Sequence, residues 1–167
     1  MKEPALAIIK PDGITKGLTG AVLTKFAQAE LEIIALKITK STRELAEQHY
    51  QHLKGQPFFN DVIAYLQGQG YKRKKLLAII YYGEDAIKKC RKIAGDTNPE
   101  EATPFSIRGS YGRITTKGLY ENVVHVSSDK KESEREIKLW FEPEEITRPL
   151  YPTKTEWVPG RKKKVWA

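Results

Sequence analysis

Residues 121–128 read ENVVHVSS, and residues 129–140 continue as the charged run DKKESEREIKLW. Residues 122–126 predict a strand, because three valines stand within five residues and neither Gly nor Pro interrupts them. Ser128 or Asp129 can cap a following helix, in which apolar residues recur at helical spacing. His125 is therefore expected at the end of a buried strand, just before the positive end of a helix. A phosphate or a developing anion is favoured at such a place.

Taken alone, His125 has two interpretations. A lone histidine in a buried strand is most often a core residue whose nitrogens are satisfied by its neighbours. A neutral imidazole can also act as a nucleophile, and the ordinary histidine pKa of about 6.5 leaves the ring mostly unprotonated at neutral pH. The rest of the chain decides between the two.

The composition limits the class of protein. With 167 residues, 40% of them hydrophobic and 30% charged, the chain is expected to form one soluble globular domain. No apolar run approaches the roughly 20 residues of a membrane span, and residues 5–9 are too few for a secretory signal. The single cysteine, Cys90, excludes an internal disulfide and a cysteine-based zinc site. We therefore expect a cytoplasmic protein without a membrane partner.

The formal net charge of +8 favours an anionic partner such as nucleic acid, a nucleotide or an acidic surface. Eight of the 29 basic residues lie in two clusters, 72–75 and 161–164. Such clusters are more often solvated loops or tails than specific nucleic-acid patches. Nucleic acid is therefore an open but not favoured partner.

The order of predicted elements indicates an α+β fold. Strands are predicted at 5–10, 31–38, 76–82 and 122–126. Helices are predicted from the cap Thr19, from Ser41 or Thr42 to Leu53, from Pro57 to the glycines 68 and 70, from Glu84 to Ala94, and after residue 128 or 129. A turn at 11–13 follows the first strand, and the unpatterned stretch 96–120 predicts a long functional loop. Because a helical hairpin separates the second and third strands, we predict a ferredoxin-like (split βαβ) four-stranded antiparallel sheet with helices packed on one face.

Seven motifs, in order along residues 3–146, resemble those of the nucleoside diphosphate kinase family. They are Ile9-Lys10-Pro11-Asp12-Gly13, His49-Tyr50, Pro57-Phe58-Phe59, Gly95-Asp96-Thr97-Asn98-Pro99, Ile107-Arg108-Gly109, Asn122-Val123-Val124-His125 and Glu136-Ile137-Lys138-Leu139-Trp140-Phe141. Any one of them is weak, whereas all seven at nearly the family's spacing are specific. The resemblance divides the chain into a kinase domain, 1–146, and a basic C-terminal extension, 147–167.

The resemblance implies a ping-pong exchange of the γ-phosphoryl group among nucleoside di- and triphosphates, which maintains NTP and dNTP pools. ATP, the main donor, would phosphorylate His125, and a nucleoside diphosphate would then take the phosphoryl group. This chemistry needs an in-line nucleophile and cations around the moving oxygens. Lys10, Arg91 and Arg108 would supply the cations. Magnesium would be bound through the nucleotide phosphates rather than in a protein site.

The resemblance also implies how the nucleotide is held. Phe58 would stack on the base, and Leu119 would cover its other side. Thr97 would hydrogen-bond a phosphate, and Asn122, with Lys10, would hold the ribose hydroxyls. No base-specific contact is evident, so little discrimination among nucleotides is expected.

Three further residues are implied to act on His125. Tyr50 would pack beside the ring, and Glu136, helped by Ser127, would orient it. Glu136 follows His125 by eleven positions, so the helix must lie under the strand end for the carboxylate to reach back.

Two other histidines, His49 and His52, lie three residues apart on one predicted helix. No third ligand is evident, so we predict that they are surface or packing residues and that the protein has no metal site of its own.

The sequence departs from the family pattern at several places. After the histidine, Val126 replaces a small residue, and the aspartate is displaced by one position in Ser127-Ser128-Asp129. Phe105-Ser106 replaces a Gly-Thr pair. Two segments, 108–122 and the basic link before Leu76, are longer than usual.

Two alternatives to a kinase are an RNA-binding module and a catalytically silent family member. The stretch 108–112 faintly resembles the RNP1 pattern of RNA-binding modules, which share this fold class, but the aromatic positions after it hold Arg113 and Ile114. A catalytically silent family member would be expected to lack His125 or the arginines.

The resemblance further implies a homo-oligomer, either a tetramer or a hexamer. Trp157 and Trp166 of the extension are expected to dock on the same or a neighbouring subunit.

Overall fold

The computed structural model of the chain describes residues 1–166, except for the side chains at 158, 161, 163 and 164. Three of the four side chains of the basic cluster 161–164 therefore lie outside the described part. Within residues 1–166, no helix combines the length and the apolar character that crossing a membrane requires.

The chain alternates strands with helices. The helices are Pro11–Thr15 (α1), Thr19–Ala27 (α2), Arg43–His49 (α3), Phe59–Leu66 (α4), Ala86–Ala94 (α5), Ile107–Tyr111 (α6) and Lys130–Trp140 (α7), with 3-10 turns at Gln51–Leu53 and Pro143–Glu145. The strands are Lys2–Ile9 (β1), Glu32–Thr39 (β2), Leu76–Glu84 (β3), Arg113–Ile114 (β4), Tyr120–Glu121 (β5), Val124–Val126 (β6), Thr153–Val158 (β7) and Arg161–Trp166 (β8).

The central sheet has the strand order β2-β3-β1-β6, and every neighbouring pair is antiparallel. β1 pairs with β3 over its whole length and with β6 on its other side, where Ile8 lies opposite His125. Helix α2 connects β1 to β2 and helix α5 follows β3, which is the arrangement of a split βαβ fold. The predicted ferredoxin-like sheet is thus confirmed.

Helices cover both faces of the sheet. Along β1, Ala5, Ala7 and Ile9 face a core that includes residues of α2 and α5. Leu6 and Ile8 face a second core that includes residues of α3, α4 and α7. The prediction that the helices pack on one face was wrong, because the helical hairpin between β2 and β3 folds over the opposite face together with α7. Burial on both sides also explains why residues 5–9 are continuously apolar.

Several element boundaries differ from the prediction. Residues 11–13 begin helix α1 instead of forming a turn, since proline is well suited to the first helical position. Thr19, predicted to cap α2, is instead its first helical residue; the N-cap residue is Leu18, whose side chain makes no capping hydrogen bond. The helix predicted from Pro57 begins at Phe59. β3 extends to Glu84, so helix α5 begins two residues later than predicted.

The caps and the long loop follow from local chemistry. The side chains of Thr42 and Asp129 accept backbone N–H groups at 3.1 and 2.9 Å, which confirms one of the two candidate caps for α3 and for α7. The predicted loop 96–120 contains helix α6, which begins with a cap by Ser106, and the small β4–β5 pair.

The C-terminal residues form a separate hairpin, β7–β8, outside the central sheet. Trp166 anchors it, because its indole N–H donates to the carbonyl oxygen of Phe141 at 3.2 Å and its ring meets that of Tyr151. Trp166 therefore docks on its own chain, whereas Trp157 is 79% exposed in this single chain.

Candidate active site

A cavity of about 800 Å³ opens at the end of β1 and β6. Ten of the eleven predicted site residues line it: Lys10, Tyr50, Phe58, Arg91, Thr97, Arg108, Leu119, Asn122, His125 and Glu136. The eleventh, Ser127, is fully buried and lies behind Glu136. The topology thus brings together residues spread over more than 120 positions of sequence.

His125 lies in the wall of this cavity with one ring nitrogen turned inward. Its Nε2 atom is buried and lies 2.9 Å from Oε1 of Glu136, although the angle is not that of a regular hydrogen bond. A carboxylate at this distance favours the tautomer with the proton on Nε2. The lone pair is then on Nδ1, the nitrogen that is left for the cavity.

Glu136 reaches back from the middle of α7 to the strand end, as its position in the sequence required. The hydroxyl of Ser127 donates to Oε2 of Glu136 at 2.5 Å. Burial opposes ionisation of this carboxyl group, but His125 and Ser127 outweigh burial and hold the pKa of Glu136 below its ordinary value. Glu136 is therefore an anion with both oxygens engaged.

Lys10 follows β1 directly and is only 5% exposed. Its ammonium donates to Oδ1 of Asn122 at 2.7 Å and lies 5.0 Å from the centre of the Tyr65 ring. Burial, together with the charge of Arg108, lowers the pKa of Lys10 from 10.5 to about 7, although Asp12 acts in the opposite direction. A buried ammonium without an anionic partner is costly, so this site favours an incoming anion.

Arg108 adds a second buried cation. Its guanidinium donates to the carbonyl oxygen of Gly95 at 2.8 Å and to that of Val124 at 3.1 Å, so the fork is held in place by backbone. Burial lowers its pKa to about 10, which leaves it charged at neutral pH. Arg91, on α5, is exposed and faces the same cavity. The cavity is therefore positively charged around His125.

The backbone between Asn122 and His125 is strained. Val123 has φ +68°, a value that β-branched residues rarely adopt, and the N–H of Val124 donates to the carbonyl oxygen of Asn122 at 2.7 Å. Val123 is thus the central residue of a γ-turn. Its carbonyl oxygen accepts the N–H of Lys10 at 2.8 Å, and its own N–H donates to Asp12 at 3.2 Å. These two contacts hold the strained conformation in place.

The mouth of the cavity is apolar and open. Phe58, the residue before α4, is 47% exposed, and Leu119 lies in the cavity wall after the β4–β5 turn. An exposed aromatic ring at a cavity mouth can stack on a planar ligand. Asn122 is buried and is joined to the exposed Thr97, because the amide of Asn122 donates to the carbonyl oxygen of Thr97 at 2.8 Å.

Three residues near the site were not predicted to belong to it. His49, predicted to be a surface or packing residue, is fully buried and packs with its ring 4.3 Å from that of His125. Asp12 is buried and accepts the hydroxyl of Tyr65 at 2.8 Å. His49 and Asp12 each belong to a motif already quoted, whereas nothing in the sequence distinguishes Tyr65 from other core aromatics.

Comparisons with known proteins agree with this geometry. The family model described as nucleoside diphosphate kinase matches residues 3–146. The chain belongs to the nucleoside diphosphate kinase family. It is therefore an enzyme that transfers phosphoryl groups between nucleotides.

Relatives of similar length support the assignment to the nucleoside diphosphate kinase family. The chain is 41% identical to the nucleoside diphosphate kinase of Pyrococcus furiosus over 144 residues, which is 86% of each chain. Among solved structures, a halophilic nucleoside diphosphate kinase from Halobacterium salinarum in complex with CDP has a TM-score of 0.80 at 30% identity, over 89% of this chain and 93% of the other. The transition-state mimic of the Borrelia burgdorferi enzyme with vanadate and ADP has a TM-score of 0.78 at 28% identity, over 89% and 92%.

The departures from the nucleoside diphosphate kinase pattern are accommodated locally. Asp129, displaced by one position, still caps α7, and Ser106 caps α6. Within the longer stretch 108–122, Glu121 is held by Arg113 and by the hydroxyl of Tyr71. Burial opposes its ionisation, but these partners lower the pKa of Glu121 to about 2.

The RNA-binding alternative is not supported by the structure. Residues 107–111 form helix α6 rather than a strand, and Arg108 is engaged with backbone carbonyl groups. Helices cover both faces of the central sheet, so the described residues of β1 offer no exposed surface on which bases could stack.

Proposed function

We propose that this enzyme works through a phosphohistidine at His125, formed from a nucleoside triphosphate, chiefly ATP, and discharged to a nucleoside diphosphate. The observation that carries the proposal is the position of His125, whose Nε2 faces Glu136 while its other nitrogen is left for a cavity that contains buried cations. The arrangement provides a nucleophile and the charge that phosphoryl transfer requires.

In the first half-reaction, the Nδ1 lone pair of His125 attacks the γ-phosphorus. A P–N bond forms, the bond between phosphorus and the bridging oxygen breaks, and the nucleoside diphosphate leaves with that electron pair. The proton on Nε2 stays beside Glu136, whose negative charge stabilises the positive charge that develops on the ring. In the second half-reaction, a terminal oxygen of the acceptor diphosphate attacks phosphorus, and the electron pair of the P–N bond returns to Nδ1.

The remaining side chains hold the nucleotide. Lys10, Arg91 and Arg108 bind phosphate oxygens, and Thr97 donates a hydrogen bond to a phosphate. Their common cavity and the burial of Lys10 and Arg108 support these roles.

The nucleoside part binds toward the cavity mouth. Asn122 and Lys10 hold the ribose hydroxyls, a role supported by the 2.7 Å hydrogen bond between them. Phe58 stacks on the base and Leu119 covers its other face. A stacking contact accepts any base, so all common nucleotides are expected as substrates.

Next to His125, we propose that Tyr50 packs on the ring and that Ser127 fixes Glu136. The Tyr50 and His125 ring centres are 6.3 Å apart, and Tyr50 is 7% exposed. Glu136 would keep Nδ1 unprotonated and available for attack.

Magnesium is proposed to enter as part of the magnesium–nucleotide substrate. The carboxylate nearest the nucleophile, Glu136, is already bound by Ser127 and His125, so it is not free to form an oxygen site for the ion. Magnesium bound through substrate phosphates needs few protein ligands. When bound, the ion neutralises charge on the β- and γ-phosphates.

We also propose a homo-oligomer, a tetramer or a hexamer. β2 is an edge strand, and it exposes Ile33, Leu36 and Ile38 at 48%, 49% and 67% in the single chain. Large exposed apolar residues along a sheet edge favour pairing with another copy. Light scattering after gel filtration would give the mass, and a purely monomeric protein would contradict the proposal.

Two further assignments complete the proposal. Residues 1–146 form the kinase domain and 147–167 a basic extension, since the family match ends at 146 and the β7–β8 hairpin follows it. The protein acts in the cytoplasm, an assignment supported by the free and buried thiol of Cys90.

Labelling tests the central step. The protein is incubated with γ-labelled ATP and magnesium, and an alkali-stable, acid-labile phosphoprotein is expected that GDP discharges as labelled GTP. His125→Ala should take no label, while His52→Ala, a change at another histidine of the cavity wall, should still be labelled. Unlabelled, well-folded wild-type protein would rule out the phosphohistidine.

A further inference from the structure

His49 is a buried histidine that the transfer step described above does not use. It ends helix α3, and its ring meets the ring of His125 edge-on, with centroids 4.3 Å apart and planes at 78°. On another side its ring meets that of Trp140 at 5.6 Å. A polar ring in this position touches the proposed nucleophile from the core rather than from the cavity.

The indole of Trp140 fixes the tautomer of His49. Its Nε1 donates to Nδ1 of His49 at 3.1 Å. Because an indole N–H can only donate, Nδ1 must carry a lone pair and the proton of the neutral ring must be on Nε2. Burial, aided by the nearby His125 and Lys10, holds the pKa of His49 well below its ordinary value, so the ring stays neutral.

The same nitrogen lies close to the carboxylate that pairs with His125. Nδ1 of His49 is 3.9 Å from Oε1 of Glu136, and Nε2 of His125 is 2.9 Å from that oxygen. If the proton of His49 were on Nδ1, a small ring movement would let this N–H compete with His125 for the same oxygen. The N–H of Trp140 occupies Nδ1 and excludes that competition.

The arrangement is unfavourable for stability taken alone. Nε2 of His49 is buried and has no hydrogen-bond partner within residues 1–166. An unpaired buried donor destabilises the folded state, and an apolar ring at this position would avoid the loss. A role in the reaction explains why a polar ring with a fixed tautomer stands here.

We propose that Trp140 and His49 are positioning residues: the Trp140 hydrogen bond holds His49 in the Nε2–H tautomer and so reserves Oε1 of Glu136 for His125. This inference rests on the proposed phosphohistidine, since only a nucleophilic His125 needs its Nε2 proton held.

Nitrogen-15 NMR of the histidine rings tests the tautomer without any assay of activity. The chain has only three histidines, so His52→Ala and His125→Ala assign the spectrum. In the wild-type protein, Nδ1 of His49 should show the shift of an unprotonated nitrogen and Nε2 that of an N–H. In Trp140→Phe, a population with the proton on Nδ1 is expected.

Kinetics test the consequence. Trp140→Phe removes the donor and keeps an aromatic ring, so we expect the rate of phosphoenzyme formation at saturating ATP to fall about 5- to 20-fold with little change in KM. Adding His49→Leu to Trp140→Phe removes the competing N–H. The double variant should therefore form the phosphoenzyme at least about threefold faster than Trp140→Phe alone. Trp166→Phe, a matched change at the C-terminal hairpin, should leave the rate unchanged.

Three results would overturn the inference: a wild-type His49 protonated on Nδ1, a Trp140→Phe enzyme that is as fast as the wild type, or a double variant no faster than the single one. Failure of the phosphohistidine itself would be seen separately, as absence of acid-labile label in the wild-type protein.

Discussion

Replacing Lys10 with methionine is expected to stabilise the folded protein while abolishing phosphoryl transfer. The ammonium is 5% exposed, and among the described residues Asp12 is the anionic neighbour that raises its pKa, so the folded state holds a charge that it solvates poorly. Methionine has a similar length and no charge, and it fills irregular space well.

The magnitude follows from the pKa of Lys10, which falls from 10.5 to about 7 on folding. At about 1.4 kcal/mol for each pKa unit, burial of the ammonium costs at most about 5 kcal/mol. The substitution also deprives Oδ1 of Asn122 of its donor, which costs about 1–3 kcal/mol. We therefore expect a net gain of at most about 2–4 kcal/mol in the free energy of unfolding at pH 7.

The sign of the pH dependence distinguishes this cause from better packing. Between pH 7 and 10.5 the unfolded chain binds a proton at Lys10 that the folded protein does not bind. The free energy of unfolding of the wild-type protein therefore gains a contribution that rises with pH through this window. Below pH 7 the full penalty is present. Lys10→Met lacks this contribution.

The assay is urea denaturation at pH 6.5, 8 and 9.5, with Lys40→Met as a control at an exposed lysine. The difference in the free energy of unfolding between wild type and Lys10→Met should be largest at pH 6.5 and smaller at pH 9.5. For Lys40→Met, this free energy should change with pH in the same way as for the wild type. Parallel curves for wild type and Lys10→Met would refute the argument, because they would mean that Lys10 has the same pKa in both states.

Phe58→Ala should lower kcat/KM by about tenfold for every nucleoside diphosphate tested, because base stacking contributes about 1–3 kcal/mol whatever the base; a loss confined to purines would contradict this. Ser127→Ala should lower kcat by about tenfold in steady-state assays with little change in KM, because Glu136 loses a hydrogen bond that orients it. Gly109→Ala should lower stability by at least about 2 kcal/mol in thermal melts, because a methyl group there would collide with backbone, whereas Gly20→Ala, in open space on α2, should raise it by about 0.5–1 kcal/mol; equal effects would show that the collision is relieved.

The elements predicted well from sequence are those with a strong local signal. α7 combines a capping aspartate with apolar residues at helical spacing and lies where it was expected. β1 contains the apolar run predicted as a strand, although it begins at Lys2 rather than at Ala5. The antiparallel split βαβ sheet was predicted from the helical hairpin between β2 and β3. Which face those helices cover could not be read from the chain, because residues 5–9 are apolar at every position and carry no alternation.

The sequence predicted which residues belong to the candidate site, but not the backbone conformation that positions them. The motifs identified residues that meet in one cavity, but no local pattern gives Val123 a positive φ, since valine is a strand former. That conformation arises from contacts with Lys10 and Asp12, more than 100 positions away. The sequence left open whether His49 lies at the surface or in packing, because its burial depends on α7, which packs over α3 only in the folded chain.

The γ-turn at Val123 changes which face of the strand the following side chains point to. In an extended strand, side chains alternate between faces, so Asn122 and His125, three positions apart, would point in opposite directions. Both instead line the same cavity, because the turn between them reverses the alternation once. Two residues three positions apart therefore share a face, which in a regular strand requires an even separation. Inserting or deleting a single residue in this segment would therefore turn Asn122, which binds Lys10, and His125 toward opposite faces, even if every side chain were kept.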